Sequence, residues 1–166
     1  GKALARVVGP SRGDVIVLRD PGGWQEVAGS PPGLAARALG FLGLAPAASG
    51  DDMVSRVIGV AGDRVSCCNR DGRIVLNGVA LDEPYLKPGT PTDQVEFKVT
   101  VPAGGYFVMG DDRANSSDSR YHLTVNSGAV PSSTVIGRAF AVVWPPQAAA
   151  FLAAPSELAD VPEPTP

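Results

Sequence analysis

Apolar residues along this chain come in short runs and in strict alternation, and Gly, Pro and Asn interrupt them every few positions. The run Asp14–Leu18 (DVIVL) follows the turn residues Gly9-Pro10-Ser11-Arg12-Gly13 and is closed by Pro21-Gly22-Gly23, which predicts a buried strand. From Met53 the β-branched stretch MVSRVIGV predicts a second strand, running into a turn at Ala61-Gly62-Asp63. Arg64–Cys68 reads as a third, turned by Asn69-Arg70-Asp71-Gly72 onto Arg73–Leu76. Asn77-Gly78 is the strongest hairpin signal in the chain and leads to Val79–Leu81. Pro84, Pro88 and Pro91 predict an extended loop, and Val95–Val101 alternates as a half-exposed strand. Tyr106–Met109 is a buried strand, and Val135–Trp144 reads as one last long strand.

Two stretches differ in character. Residues 22–50 are rich in Gly, Ala, Pro and Ser, and Leu34, Ala38, Leu39, Phe41 and Leu42 fall on one helical face behind Ser30-Pro31-Pro32. They are expected to form a surface insertion carrying a short amphipathic helix over 33–45, open to packing on the domain or to lipid contact. Residues 147–154 are read as a terminal helical turn, and the acidic, Pro-rich stretch 155–166 as a fraying tail. No βα alternation and no internal repeat is present, so the expected fold is all-β and antiparallel, one domain over 1–154 with long loops.

Composition narrows the function. With 166 residues, 44% of them hydrophobic, the chain can bury one core, and 20 Gly and 16 Pro suit a turn-rich β protein. A net charge of −3 without a Lys/Arg cluster argues against nucleic acid as a partner. Cys67 and Cys68 are adjacent; neighbouring Cα atoms sit about 3.8 Å apart, below the usual span of a disulfide, so a bridge would be strained and two unbridged thiols are expected. Two thiols and one distant His do not make a tetrahedral set, so no metal and no cofactor is expected. No stretch approaches the roughly 18 apolar residues of a membrane span, and the chain starts at Gly1, which suggests processing or engineering.

Two segments are too specific for ordinary loops: Ser55–Asp63 (SRVIGVAGD) and Gly110–Arg120 (GDDRANSSDSR). The second packs three Asp, two Arg, three Ser and one Asn into eleven residues, enough for a self-satisfying network of ion pairs and hydrogen bonds. It resembles the GDNRxxSxDSR box of bacterial type I signal peptidases, with Asp112 where that box usually has Asn. SRVIGVAGD is similar to their KRVxGxPGD box, DVIVLRDP resembles the strand box before it, and VNGVALDEPYL and AFAVVWP look like family segments in the same order. The resemblance covers most of residues 2–145, is loosest at 22–50, and looks actinobacterial in its insertion and adjacent cysteines.

The resemblance implies a signal-peptidase-like β domain with a hairpin-rich insertion, the soluble extracytoplasmic part of a membrane-anchored Ser/Lys endopeptidase. Such enzymes cut signal peptides from exported preproteins after a small-x-small sequence. A serine hydroxyl needs a neighbouring base, and a lysine serves only if burial lowers its pKa toward neutrality. By resemblance Ser116 orients that lysine, while Asp118 and Arg120 pair and hold the loop against the strand carrying Arg56. Asp111 is expected to stabilise the fold, and Asp52, Met53 and Val54 line the groove where substrate adds as an extended strand.

The departures weigh more. The family's nucleophile box is of the S-M-x-P type, and neither Met53 nor Met109 follows a Ser, so the chain holds no nucleophile and is expected to be truncated upstream. The family's lysine position is Ser55, and an alcohol cannot act as a general base near neutral pH. Lys87 and Lys98 read as solvated surface, and His122 as structural. An engineered change and a natural loss of the base both explain Ser55. The expected partners are signal peptides and, in the parent protein, the membrane surface, with weak or no peptide binding by this half-built groove. A non-catalytic peptide-binding or regulatory pseudopeptidase, and a self-cleaving repressor of the SOS type, are the alternatives.

Overall fold

The computed structural model describes residues 9–24, 52–86, 88–91, 95–142 and 146–164. The expected insertion helix over 33–45 and Lys87 lie outside them.

The strands form where the alternation and the turn residues place them. β1 (Val15–Arg19), β2 (Asp52–Gly59), β7 (Gly105–Met109), β8 (Val130–Pro131) and β9 (Val135–Ala139) make a five-stranded sheet in the order β8-β7-β2-β1-β9. β3 (Arg64–Cys67), β4 (Val75–Leu76), β5 (Val79–Ala80) and β6 (Phe97–Thr100) make a four-stranded sheet in the order β5-β4-β3-β6. All pairings are antiparallel. The β4–β5 turn is Asn77-Gly78, with φ of 50° and 86°, the doubly left-handed conformation that suits a two-residue hairpin.

Period-two alternation gives the larger sheet two apolar faces. Ile58, Phe107 and Met109 point toward Val65, Leu76 and Phe97 of the smaller sheet and form the main core. Ile16, Leu18, Met53, Val57 and Val108 point the other way and gather Val130 and Trp24.

Four expectations are corrected. The last long strand does not run to Trp144: β9 stops at Ala139, and β10 (Ala141–Val142) turns away to pair with β11 (Ala150–Phe151). Residues 147–154 therefore contain a strand, after a 3₁₀ turn at Pro146–Ala148, rather than a helical turn. Cys67 and Cys68 are bridged, not free. Nor does the tail fray. A one-turn helix, α1 (Ser156–Ala159), seats Leu158 fully inside the main core with Val161 beside it. Arg12 Nη1 donates to Val161 O at 2.6 Å, and Asn77 Nδ2 donates to Pro162 O at 2.9 Å. Two apolar side chains and two hydrogen bonds outweigh the acidic, Pro-rich composition.

Leu158→Ala is expected to lower unfolding stability by about 2–4 kcal/mol, read from urea denaturation. A loss below about 0.5 kcal/mol, the scale of an ordinary surface change, would mean the tail is not anchored.

Candidate functional site

β2 carries the site because its two edges are used unequally. β1 covers one edge from Asp52 to Arg56, whereas β7 pairs with the other only from Arg56 to Gly59. Beyond Met109 the chain leaves the sheet at Gly110, so no strand covers the second edge at Asp52–Ser55 among the described residues. Of the expected groove residues, Met53 is buried in the second apolar cluster, Asp52 is half-buried, and Val54 is 64% exposed.

Ser55 is buried on the same face as Met53 and Val57, opposite Ile16 of β1. Past the pair Arg56↔Met109 the ladder ends, and Gly110 leads into the loop that carries Ser116. Ser116 packs against Gly110, where an added Cβ would collide with its hydroxymethyl group. Its hydroxyl, however, donates to Asp112 O at 2.7 Å rather than to a base.

The loop around Ser116 is held by arginines. Arg120 pairs with Asp118 through Nε–Oδ1 and Nη2–Oδ2, both 2.9 Å, with both residues buried. Asp118 also accepts from Gly110 N, and Arg120 Nη2 donates to Arg113 O, so this pair closes the loop on itself. The strand carrying Arg56 meets the loop through a different carboxylate. Arg56 is held instead by Asp111, Nε–Oδ1 at 2.8 Å and Nη2–Oδ2 at 2.6 Å, and donates to Gly13 O at 2.9 Å. The physical reason is reach: Arg56 lies on the sheet face opposite to Ser55, and Asp118 is already saturated inside the loop. Asp111 is therefore the residue joining loop to strand.

Sequence reasoning missed three residues of this network. Arg113, fully buried, donates to both Glu83 oxygens and from Nε to Gly110 O at 2.9 Å. Glu83 also accepts from Tyr85 OH at 2.6 Å, and the Tyr85 ring lies under the Arg56 guanidinium, 4.2 Å from its centroid. VNGVALDEPYL contains Glu83 and Tyr85, so the signal was present as a segment without a role. Burial alone would lower the pKa of Arg113, but hydrogen bonds and charge from Glu83 outweigh it and the value is raised. Burial, then the Glu83 carboxylate, pushes the Tyr85 phenol well above its ordinary value.

His122 stacks on Trp24 at 4.3 Å between ring centroids, and its Nε2 lies 3.2 Å from Ser117 Oγ. Among the described residues no group of three His, Cys, Asp or Glu could hold a metal ion, and no helix is long and apolar enough to cross a membrane.

Residues 2–144 match the family described as "Signal peptidase, peptidase S26". A probable signal peptidase I of Mycobacterium leprae is 39% identical, aligned over 87% of this chain and 59% of its own length. A signal peptidase I of Mycobacterium tuberculosis is 41% identical, over 87% of this chain and 56% of its own. The chain thus spans less than two thirds of these relatives. A crystal structure of a signal peptidase I from Enterococcus faecalis superposes with a TM-score of 0.51 at 28% identity, covering 80% of this chain and 97% of that one.

Removing the Asp118 carboxylate should leave Arg120 buried and unpaired. Asp118→Ala is expected to cost about 3–5 kcal/mol in urea denaturation, against near-neutral behaviour if the pair were solvated. Tyr85 supplies a pH signature. Its raised folded pKa means the folded chain keeps a proton that the unfolded chain releases above about pH 10. Its contribution to stability is therefore complete below about pH 10 and lost as pH rises further. In the phenolate absorbance of the folded chain at about pH 11, Tyr85→Phe should leave the amplitude unchanged; a proportional drop would show that Tyr85 ionises freely.

Proposed function

The chain belongs to the signal peptidase, peptidase S26, family, and from that premise we propose that it serves signal-peptide removal from exported preproteins as a peptide-receiving domain without its own reacting pair. The observation that carries this reading is Ser55, a buried alcohol at the position where the family's sequence box has its lysine. Peptide-bond hydrolysis by a serine needs a group that takes the hydroxyl proton as the carbonyl is attacked. A buried lysine does so because an apolar wall disfavours its ammonium form; a buried serine stays neutral and holds its proton. The chain also contains no Ser-Met-x-Pro box to supply the attacking hydroxyl.

Substrate reception is a separate matter from chemistry. The open edge at Asp52–Ser55 offers backbone N–H and C=O groups to an extended peptide, the geometry of strand addition. On this reading the edge beside Met53 and Ser55 accepts small side chains, in keeping with a small-x-small motif. Ser116, packed against Gly110, is the residue proposed to orient a base at 55. Arg56, Asp111, Asp118 and Arg120 keep that wall in place without touching substrate. The proposed setting is the extracytoplasmic face of a bacterial membrane, with preproteins as partners. Ser55 equally favours a second reading, a pseudopeptidase that binds peptides and does not cut them.

Grafting the upstream segment of a signal peptidase relative, with its Ser-Met-x-Pro box, ahead of Gly1 separates these readings. With Ser55→Lys the graft is expected to cleave a preprotein in detergent, at a rate about 10²–10⁴ above the same graft with Ser55 retained. Equal cleavage by both grafts would overturn the assignment of position 55. Silence from both, with near-ultraviolet circular dichroism intact, would favour the pseudopeptidase.

A further inference from the structure

The family match ends at residue 144, yet the chain continues across the molecule and returns to the N-terminal side of the site. Leu158 and Val161 anchor this stretch in the main core. Arg12, paired with Asp63 through 2.8 and 2.6 Å contacts, reaches Val161 O and lies 3.4 Å from Glu163. Asn77 Nδ2 bridges Asp63 Oδ1 and Pro162 O. Between these anchors and the sheet lies Gly13, at φ +86°, where an added Cβ would meet Pro155 Cδ at 3.0 Å and Ala154 Cβ at 3.1 Å. The strap therefore presses on the turn Gly9–Gly13 at Gly13 and grips it at Arg12.

Gly13 is also part of the site's support. Its N–H donates to Val57 O at 2.7 Å, and its carbonyl accepts from Arg56 Nη1 at 2.9 Å. Arg56 points its remaining donors at Asp111, which follows the glycine on which Ser116 rests. We infer that residues 154–163 are a positioning strap for the candidate site: by fixing Gly13 O they aim Arg56 at Asp111 and so set the position of the Gly110–Ser116 loop beside residue 55. This rests on the proposed function only in naming the site; the contacts stand without it.

Arg120 supplies an internal control, because its carboxylate partner Asp118 is two residues away in the same loop and owes nothing to the strap. Solvent exchange of the Arg56 and Arg120 Nε–H groups is read by NMR in three forms: the intact chain, the chain ending at Ala153, and full-length Leu158→Ala. The second and third are expected to speed exchange at Arg56 by about tenfold or more and to shift the Gly110 and Asp111 amides, with Arg120 little changed. Adding a peptide of residues 154–166 to the shortened chain should restore the Arg56 signal. Unchanged exchange at Arg56, or equal acceleration at both arginines, overturns the strap. If the shortened chain fails to fold, Leu158→Ala decides by the same comparison. No substrate enters the measurement, so failure here is distinct from failure of the cleavage assay.

Discussion

A buried guanidinium must meet a carboxylate, and among the described residues that constraint is satisfied four times, each by a two-pronged pair. Arg12, Arg56, Arg113 and Arg120 are each at most 7% exposed, and they pair with Asp63, Asp111, Glu83 and Asp118. Taking an ion out of water costs several kcal/mol, so each pair persists only while both members and their remaining hydrogen bonds are in place. Every buried side-chain polar atom among the described residues finds a partner. The loops that host these groups have few apolar side chains of their own. Their shape follows from where the arginines can be neutralised.

The site is a consequence of that arrangement. β7 stops pairing with β2 at Arg56 because Gly110 is claimed by the loop: its N–H by Asp118, its carbonyl by Arg113. The same departure uncovers the edge at Asp52–Ser55 and lets Ser116 settle where a side chain on residue 110 would be. One glycine and three ion pairs thereby produce an open strand edge next to a small polar wall. Residue 55, on the face shared by Met53 and Val57, is a serine, and Arg56 sits on the sheet face away from it.

Much of this was legible from residues alone. β3 and β6 lie within the runs that alternation and turn residues marked, β1, β2 and β7 match theirs to within one residue at each end, and Asn77-Gly78 makes the tight hairpin it announced. The Asp118–Arg120 pair was expected only through the resemblance of its loop to the signal peptidase box, and it forms. Arg56's partner was not, since its carboxylate lies 55 positions away and three acidic residues of one loop were equally available. Likewise Val135–Trp144 is apolar apart from Gly137 and Arg138, and nothing in that run marks Phe140 as the place where the strand leaves one sheet for another.

What the sequence determined by itself is therefore local: strand periodicity, the positions of turns, and the chemistry offered at each motif position, above all the alcohol at Ser55. Those features depend on backbone preferences and side-chain identity over a few residues. Tertiary structure alone decided which carboxylate answers which arginine, which edge of β2 stays open, and that Leu158 turns an acidic, Pro-rich end into part of the core. Such choices depend on distances between residues far apart in the chain, where one buried leucine or one donated carbonyl outweighs the composition around it.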